Sequence, residues 1–202
     1  ELDISLKYAA RGNMSEVIML PDSANPTKID LDTEEALLAG ISHRIVVPLG
    51  KKLSVGMVNA FWLNPLAGDE SASTTGGFLT RNFIGGFRTL APNARSFMGA
   101  EPLRYYADNL YYNELKIQYE VRRKLYLQIN TQYYNARYPL GFIFPYFEDQ
   151  DYYFGGKDFL FCTGATAGYL SPIGPISMSV AKGNTGAGWQ YFLNIGFFFD
   201  RK

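Results

Sequence analysis

The sequence predicts an all-β fold: an antiparallel transmembrane β-barrel, or the C-terminal portion of one, with residues 1–202 as a single barrel domain. Apolar and polar residues alternate with a period of two in segments of about ten residues, the pattern of strands with one apolar face. The chain is 16% aromatic, with 15 Tyr, 15 Phe and 2 Trp, as the two aromatic girdles of a membrane barrel require. Short turns and long connections separate the strand segments.

Composition argues against two other classes of protein. The 19 Lys and Arg residues balance 19 Asp and Glu residues, so no long-range field recruits nucleic acid, and we expect no nucleic-acid partner. No apolar run approaches the ~20 residues of a helical span, so a membrane crossing has to use strands. The chain opens with ELDISLKYAARG, without an initiator Met or a signal segment, and we expect it to be an excerpt from a longer chain.

The N-terminal half contains four strand candidates. Residues 2–8 form the first, and residues 39–47 and 53–63 flank the short turn PLGKK. Residues 78–87 form the fourth. Together with the strands further along the chain, they give an expected total of roughly nine or ten.

The strongest periodicity lies in a hairpin over residues 111–134, whose halves are separated by a basic turn at residues 122–124. Folding on that turn places the apolar residues of both halves on one face. The predicted neighbours are Tyr119 and Leu127, Ile117 and Ile129, Gln118 and Gln128, and Lys116 and Asn130. A soluble sandwich would turn the apolar face onto a second sheet, whereas a membrane barrel would turn it to lipid.

Residues 189–199 (WQYFLNIGFFF) predict the closing strand of the barrel. Its apolar row has aromatic ends and an aliphatic middle, which matches the apolar band and paired girdles of a membrane strand. Two further strands, at residues 159–170 and 176–181, are joined by the turn SPIGP and precede it. The row consists of Trp189, Tyr191, Leu193, Ile195, Phe197 and Phe199.

Four long stretches connect the strand segments, at residues 24–35, 64–77, 88–110 and 137–157. If the closing strand descends to the periplasm, the turn at 122–124 is periplasmic and the stretches at 88–110 and 137–157 are external loops. The same alternation of periplasmic turns and external loops requires residues 64–76 to be a periplasmic turn, although this segment is long for such a turn.

Several segments resemble the surface-antigen barrels of the BamA and TamA superfamily, most closely the barrel that follows a patatin-like phospholipase domain in Bacteroidetes-type proteins. That barrel carries a P-L-x-K-K turn, a T-P-I-G-P turn and an N-x-G-F closing strand, in this order. The matching segments here lie at residues 48–52, 171–175 and 194–197. The resemblance covers about residues 36–199 and implies a bacterial outer-membrane location.

The resemblance also implies that Gly85 and Gly86 lead into an external loop whose tip folds back into the barrel lumen. The corresponding tip here is Arg95-Ser96-Phe97-Met98-Gly99. Arg95 would then pair with a luminal carboxylate such as Glu114 or Glu120. The family pattern is Arg-Gly-aromatic, whereas three residues separate Arg95 from Gly99 here, and an ordinary exposed loop is the alternative.

No catalytic, cofactor or metal site is predicted. The chain has no G-x-S-x-G, so the lipase domain implied by the resemblance would lie upstream of Glu1. Ser42 and His43 are the candidates for a lipid-modifying barrel enzyme, but adjacent strand residues point to opposite faces. His43 is the only histidine, and Cys162, the only cysteine, has a predicted packing role.

Two acidic clusters are interpreted as solvated loop residues. The alternative is that they hold a divalent cation or that the second contacts lipopolysaccharide. The clusters are Asp30, Asp32, Glu34 and Glu35, and Glu148, Asp149 and Asp151.

Three functions remain open. The first is a membrane anchor, and translocation pore, for a linked patatin-type lipase; the second is an assembly or translocation barrel of BamA type. The third is a soluble all-β binding domain. If the chain is a membrane barrel, we expect outer-membrane lipid and lipopolysaccharide as its partners, and the β-barrel assembly machinery during insertion. We also expect either upstream strands or a second chain to complete the barrel wall.

Overall fold

The computed structural model describes residues 2–9, 13–18, 27–32, 36–63, 82–86, 94–136, 152–172 and 174–196. It is all-β, as predicted, and within these residues no helix is long and apolar enough to cross a membrane. The strands are β1 Leu2–Ala9, β2 Asn13–Ile18, β3 Thr27–Asp32, β4 Ala36–Pro48, β5 Leu53–Leu63, β6 Asn82–Ile84, β7 Ala94–Arg95, β8 Tyr105–Ala107, β9 Leu110–Arg122, β10 Leu125–Asn135, β11 Tyr152–Tyr153, β12 Phe159–Ser171, β13 Gly174–Gly183 and β14 Trp189–Ile195.

Eight of these strands form one antiparallel sheet in the order β1-β4-β5-β9-β10-β12-β13-β14. Strand β1 lies at one edge and β14 at the other, and in the described part of the chain the two do not pair. The sheet is therefore open over these residues, whereas the sequence predicted a closed barrel or part of one.

The register of the central hairpin is the one that the alternation predicted. In β9 and β10, Tyr119 pairs with Leu127, Ile117 with Ile129, and Gln118 with Gln128. Lys124 adopts a φ of 71° in the tight turn between the two strands, and the register shifts once, between Leu125 and Tyr126. The period-two pattern was sufficient to predict this register, because a one-residue slip would move every apolar side chain to the other face.

The three long connections of the large sheet all lie at one end, together with the short connection between β13 and β14, and the remaining turns lie at the other end. The turns at residues 49–52 and 123–124, and the short link between Ser171 and Gly174, join neighbouring strands at one end, called here the turn end. Because the strands are antiparallel, the connections between β1 and β4, β5 and β9, β10 and β12, and β13 and β14 all leave from the other end, called here the loop end.

The prediction of a wall strand at residues 78–87 was wrong. Within that range the structure describes 82–86, where β6 pairs with β7 and β8 in a small sheet ordered β11-β8-β6-β7. Strand β5 pairs directly with β9 instead. Gly85 and Gly86, with φ of 143° and 76°, end the strand after three residues.

This correction removes the difficulty with the stretch at residues 64–76, which itself lies outside the described residues. Both ends of the 64–109 connection are at the loop end of the sheet, so the alternation no longer requires a long turn at the turn end. The expected loop at residues 24–35 also needs correction, because β3 lies within it and pairs with β2.

The other predicted strands differ from the structure only at their ends, but the expected total of nine or ten was wrong: the described residues contain fourteen strands, eight of them in the large sheet. The predicted closing strand corresponds to β14, which ends at Ile195, and residues 197–199 lie outside the described residues. Five residues of the two acidic clusters also lie outside the described residues: Glu34, Glu35, Glu148, Asp149 and Asp151.

One face of the sheet, called here the outer face, is covered with apolar and aromatic side chains. Three successive rows cross neighbouring strands without a charged, amide or aliphatic hydroxyl side chain. The rows are Val47, Val55, Ile117, Ile129, Ala165, Val180 and Tyr191; then Leu53, Tyr119, Leu127, Ala167, Met178 and Leu193; then Leu125, Tyr169, Ile176 and Ile195.

Aromatic rings border these rows towards the loop end. Phe61 and Tyr111 have ring centroids 4.8 Å apart, Tyr111 and Tyr133 6.2 Å apart, and Tyr133 and Phe159 5.6 Å apart. Amides accompany the rings on this border, where Asn113 Nδ2 donates to Asn59 Oδ1 at 2.6 Å. The outer face thus changes from aliphatic to aromatic and polar as the strands approach the loop end.

Candidate functional site

The opposite face of the sheet, called here the inner face, carries polar side chains that are nevertheless buried. Asn130 and Gln132 on β10 are 5% and 2% exposed, and Thr166 and Ser179, on β12 and β13, share a 2.7 Å hydrogen bond. Polar side chains are withdrawn from water only where other groups cover them and satisfy their hydrogen bonds. Over Asn130 and Gln132, the cover includes Met98 of the connection between β5 and β9.

Three aromatic side chains from neighbouring strands form a platform on the inner face near the loop end, called here the aromatic shelf. Trp62 of β5 and Tyr112 of β9 have ring centroids 6.0 Å apart. Tyr112 then stacks on Tyr134 of β10, with centroids 4.6 Å apart and planes inclined at 28°. The shelf gives this end of an otherwise polar face a flat apolar surface.

Residues 95–100, called here the loop tip, pack against the shelf. The Arg95 guanidinium lies 4.2 Å from the centroid of the Trp62 ring, within cation–π range. The Phe97 ring meets Tyr134 edge to face with centroids 5.7 Å apart, and Tyr134 OH donates to the Ser96 carbonyl at 2.6 Å. Phe97 is fully buried by these contacts.

Beyond the shelf, the tip makes hydrogen bonds to β10 and to the β13–β14 connection. The Met98 amide donates to Gln132 Oε1 at 3.0 Å, and Asn130 Nδ2 donates to Met98 Sδ at 3.6 Å. Thr185 Oγ1 donates to the Gly99 carbonyl at 2.7 Å. The tip is therefore attached to β10 and to the β13–β14 connection by backbone and side-chain groups of Met98 and Gly99.

Gly99 fits because the sheet beneath it carries small side chains. A Cβ on Gly99 would lie 2.7 Å from Cys162 Cβ, closer than real Cβ atoms approach, and 3.0 Å from Gly183 Cα, which is also unusually close. Gly164 likewise accommodates the Met98 methyl, which would lie 2.9 Å from an added Cβ. Cys162 is buried here, and its thiol donates to Gln132 Oε1 at 3.4 Å.

The loop tip is held in shape by Gly85 and Gly86 at the end of β6. Gly85 N donates to the Arg95 carbonyl at 3.0 Å. The Gly86 carbonyl accepts from the Phe97 amide at 2.8 Å, and Gly86 N donates to the Ala100 carbonyl at 2.9 Å. A Cβ on Gly85 would collide with the Glu101 carbonyl oxygen. Both positive φ and close packing thus require glycine at this position.

The four residues suggested for a loop contact occupy different parts of the inner face. Gly99 rests on Cys162, and Arg95 on Trp62, where burial lowers the pKa of its guanidinium below the ordinary value. Glu114 Oε1 accepts from Asn130 Nδ2 at 2.7 Å and lies 3.6 Å from Lys116 Nζ. Glu120 lies about 20 Å further along β9, at ~3.4 Å per residue. The pairing of Arg95 with one of these carboxylates stays a prediction.

Sequence reasoning missed the aromatic shelf and the part played by Gln132. Tyr112 and Tyr134 were visible as aromatic residues in otherwise polar rows of the hairpin, and such exceptions to the alternation mark places where something covers the polar face. On β5, Trp62 is the one aromatic residue in an inner-facing row of small residues. The partner loop could not be read from the sequence, because contacts between residues 95–100 and β10 are not periodic.

The Ser42 and His43 candidates lie side by side on β4 and point to opposite faces, as alternation requires. His43 is exposed on the outer face, where it pairs in register with Asn59. Among the described residues, no three His, Cys, Asp or Glu side chains are grouped closely enough to hold a metal ion.

Comparison of the chain with protein-family models, with curated proteins and with solved structures finds no match.

Proposed function

We propose that this chain forms the wall of a bacterial outer-membrane β-barrel, and that the barrel anchors, and translocates, a linked domain of the patatin-like phospholipase type. The observation that carries the membrane part is the outer face, where three unbroken apolar rows cross up to seven paired strands. The linked domain rests on the sequence resemblance alone.

The outer face supports lipid as its surroundings because its apolar side chains are widely exposed. Leu193 is 71% exposed, Met178 66% and Ile129 53%, and they belong to one continuous surface. A soluble protein rarely exposes an apolar patch of more than a few hundred Å², whereas hydrocarbon is the natural solvent for such a face. The aromatic and amide border towards the loop end matches the headgroup level of a bilayer.

The inner face supports a closed, partly occupied lumen. Its polar side chains would be costly in hydrocarbon, and the loop tip covers them with hydrogen bonds to Asn130, Gln132 and Tyr134. Since a bilayer does not tolerate unpaired strand edges, β1 and β14 require pairing partners. We infer that residues outside this chain, or a second copy of it, complete the wall.

Heat-modifiable migration tests the membrane part of the proposal. The 202-residue chain, refolded into non-ionic detergent micelles, is expected to migrate as a compact species on a gel without heating and as an extended one after boiling. A matched preparation in detergent-free buffer is expected to aggregate. A monodisperse folded protein in detergent-free buffer would identify a soluble β-domain and overturn the proposal.

A protease experiment tests the anchoring part. In cells that produce the barrel joined to the proposed patatin-type domain, that domain is expected to remain in the outer-membrane fraction, and to be released when a protease site is introduced between the two. Membrane retention after cleavage would show that the domain does not depend on the barrel.

A further inference from the structure

The turn end of the sheet carries a group of exposed cations that the proposed function does not use. Lys51 and Lys52 lie in the turn between β4 and β5, and Arg122, Arg123 and Lys124 lie in and beside the turn between β9 and β10. These five residues, called here the basic turn cluster, are all exposed.

Backbone hydrogen bonds hold the turns of this cluster beside each other. The Glu120 amide donates to the Lys52 carbonyl at 2.7 Å, which ties the first turn to β9. The Leu170 amide donates to the Lys124 carbonyl at 2.9 Å, which ties the second turn to β12. The five cations therefore belong to one fixed surface across four strands rather than to two independent loops.

Positive charge at this end is almost unbalanced. Among residues 47–54, 118–126, 168–172, 174–177 and 194–196, the only acidic residue is Glu120. At the described loop end the charges are mixed: Arg104 pairs with Glu101 at 3.3 Å, and Asp158 directly follows Lys157. The net charge of zero for the whole chain thus conceals a strongly basic turn end.

The cluster also borders the apolar rows of the outer face. Lys52 directly precedes Leu53, and Lys124 directly precedes Leu125, the first apolar residues of their strands. Leu49, 56% exposed, projects from the same turn as Lys51. Long cationic side chains at such a border extend along the apolar surface and place their charged ends at the level of lipid phosphates.

We propose that the basic turn cluster binds the headgroup phosphates of anionic glycerophospholipids in the leaflet at the turn end. This inference rests on the proposed membrane function and adds to it a preference for one class of lipid. Several cations fixed at the edge of an apolar surface favour a lipid with net negative charge over a zwitterionic one, whose own ammonium group repels them. Bound anionic lipid would hold the turn end at its leaflet.

Lipid binding by the refolded chain in non-ionic micelles tests this inference. Phosphatidylglycerol or phosphatidylcholine is titrated in, and the lipid retained is counted by native mass spectrometry. The test variant is Lys51→Gln/Lys52→Gln/Arg123→Gln, and the matched control, Arg104→Gln/Lys157→Gln/Lys182→Gln, removes the same number of charges at the loop end. A compact, heat-modifiable species verifies that each variant is folded.

Wild type and the loop-end control are expected to retain phosphatidylglycerol in preference to phosphatidylcholine, and the test variant to bind phosphatidylglycerol about tenfold or more weakly. Raising the salt to about 0.5 M is expected to reduce the preference, since screening shortens the range of the charges. Equal affinity for the two lipids overturns the inference while leaving the barrel proposal intact. Preferential binding of diphosphoryl lipid A, or an unchanged preference in the test variant, also overturns it. A chain without any heat-modifiable form overturns both proposals.

Discussion

At the scale of single residues, small residues on the inner face leave room for the loop tip. Gly99 lies on Cys162 and Gly183, and Met98 on Gly164, so the strands beneath the tip lack the bulk that would keep it away. Packing at this density leaves little room for an added methyl group. The tip is therefore sensitive to changes that ordinary loop positions tolerate.

Gly99→Ala is expected to destabilise the protein by about 1–3 kcal/mol, because the added Cβ overlaps the Cys162 side chain and the Gly183 backbone. Urea unfolding of the refolded protein measures the change. Gly56→Ala on the inner face of β5 is the control, since an added Cβ there meets nothing closer than 3.7 Å. Equal effects of the two substitutions would show that the tip does not rest on β12.

Tyr134→Phe removes the hydrogen bond to the Ser96 carbonyl while keeping the stack on Tyr112. We expect a loss of about 1–2 kcal/mol of folding stability, because a partly buried carbonyl loses its partner. Faster hydrogen exchange confined to residues 95–100 would locate the effect. Tyr191→Phe, at a site 74% exposed on the outer face, is expected to change neither quantity. Protection of the tip that is unaffected by Tyr134→Phe would contradict this account.

At the scale of elements, alternation decides which side of each strand faces which surroundings. It predicted the register of β9 and β10, because each residue there has only two possible faces and the apolar ones agree. It failed at residues 78–87, where β6 has the composition of a wall strand but belongs to the small sheet and ends before Gly85 and Gly86. Local patterns identify strands, whereas the choice between wall and loop depends on contacts distant in sequence.

The same alternation gives a test of which face meets lipid. Ile129→Arg places a charge in the middle of the first apolar row and is expected to destabilise the bilayer-inserted protein by about 2–4 kcal/mol. Gln128→Arg, one residue away and facing inward, is expected to lower the free energy of unfolding by less than half as much. Urea titration of both variants refolded into liposomes measures the difference. If Ile129→Arg is as stable as Gln128→Arg, the outer face does not meet hydrocarbon.

At the scale of the whole molecule, the two ends of the sheet differ in their connections and in their charge. The turn end has short turns and unbalanced positive charge, and the loop end has the three long connections, the aromatic border and the loop tip. Because β5 pairs directly with β9, this division between turn end and loop end holds for every strand of the large sheet. The sequence alone left it unresolved upstream of residue 77, because one misassigned strand reverses the direction of all the strands before it.

If the proposed membrane function is correct, this division predicts one orientation in the outer membrane, with the loop end outside the cell. Lys157→Cys, at the loop end, is expected to react with a membrane-impermeant maleimide on intact cells, and Lys51→Cys, at the turn end, only after the outer membrane is permeabilised. The unsubstituted protein is the blank, since its single thiol, Cys162, is buried under the loop tip. Labelling of Lys51→Cys but not Lys157→Cys on intact cells would reverse the orientation. It would then place the basic turn cluster in the lipopolysaccharide leaflet, where lipid A phosphates rather than phospholipids would be its counter-charges.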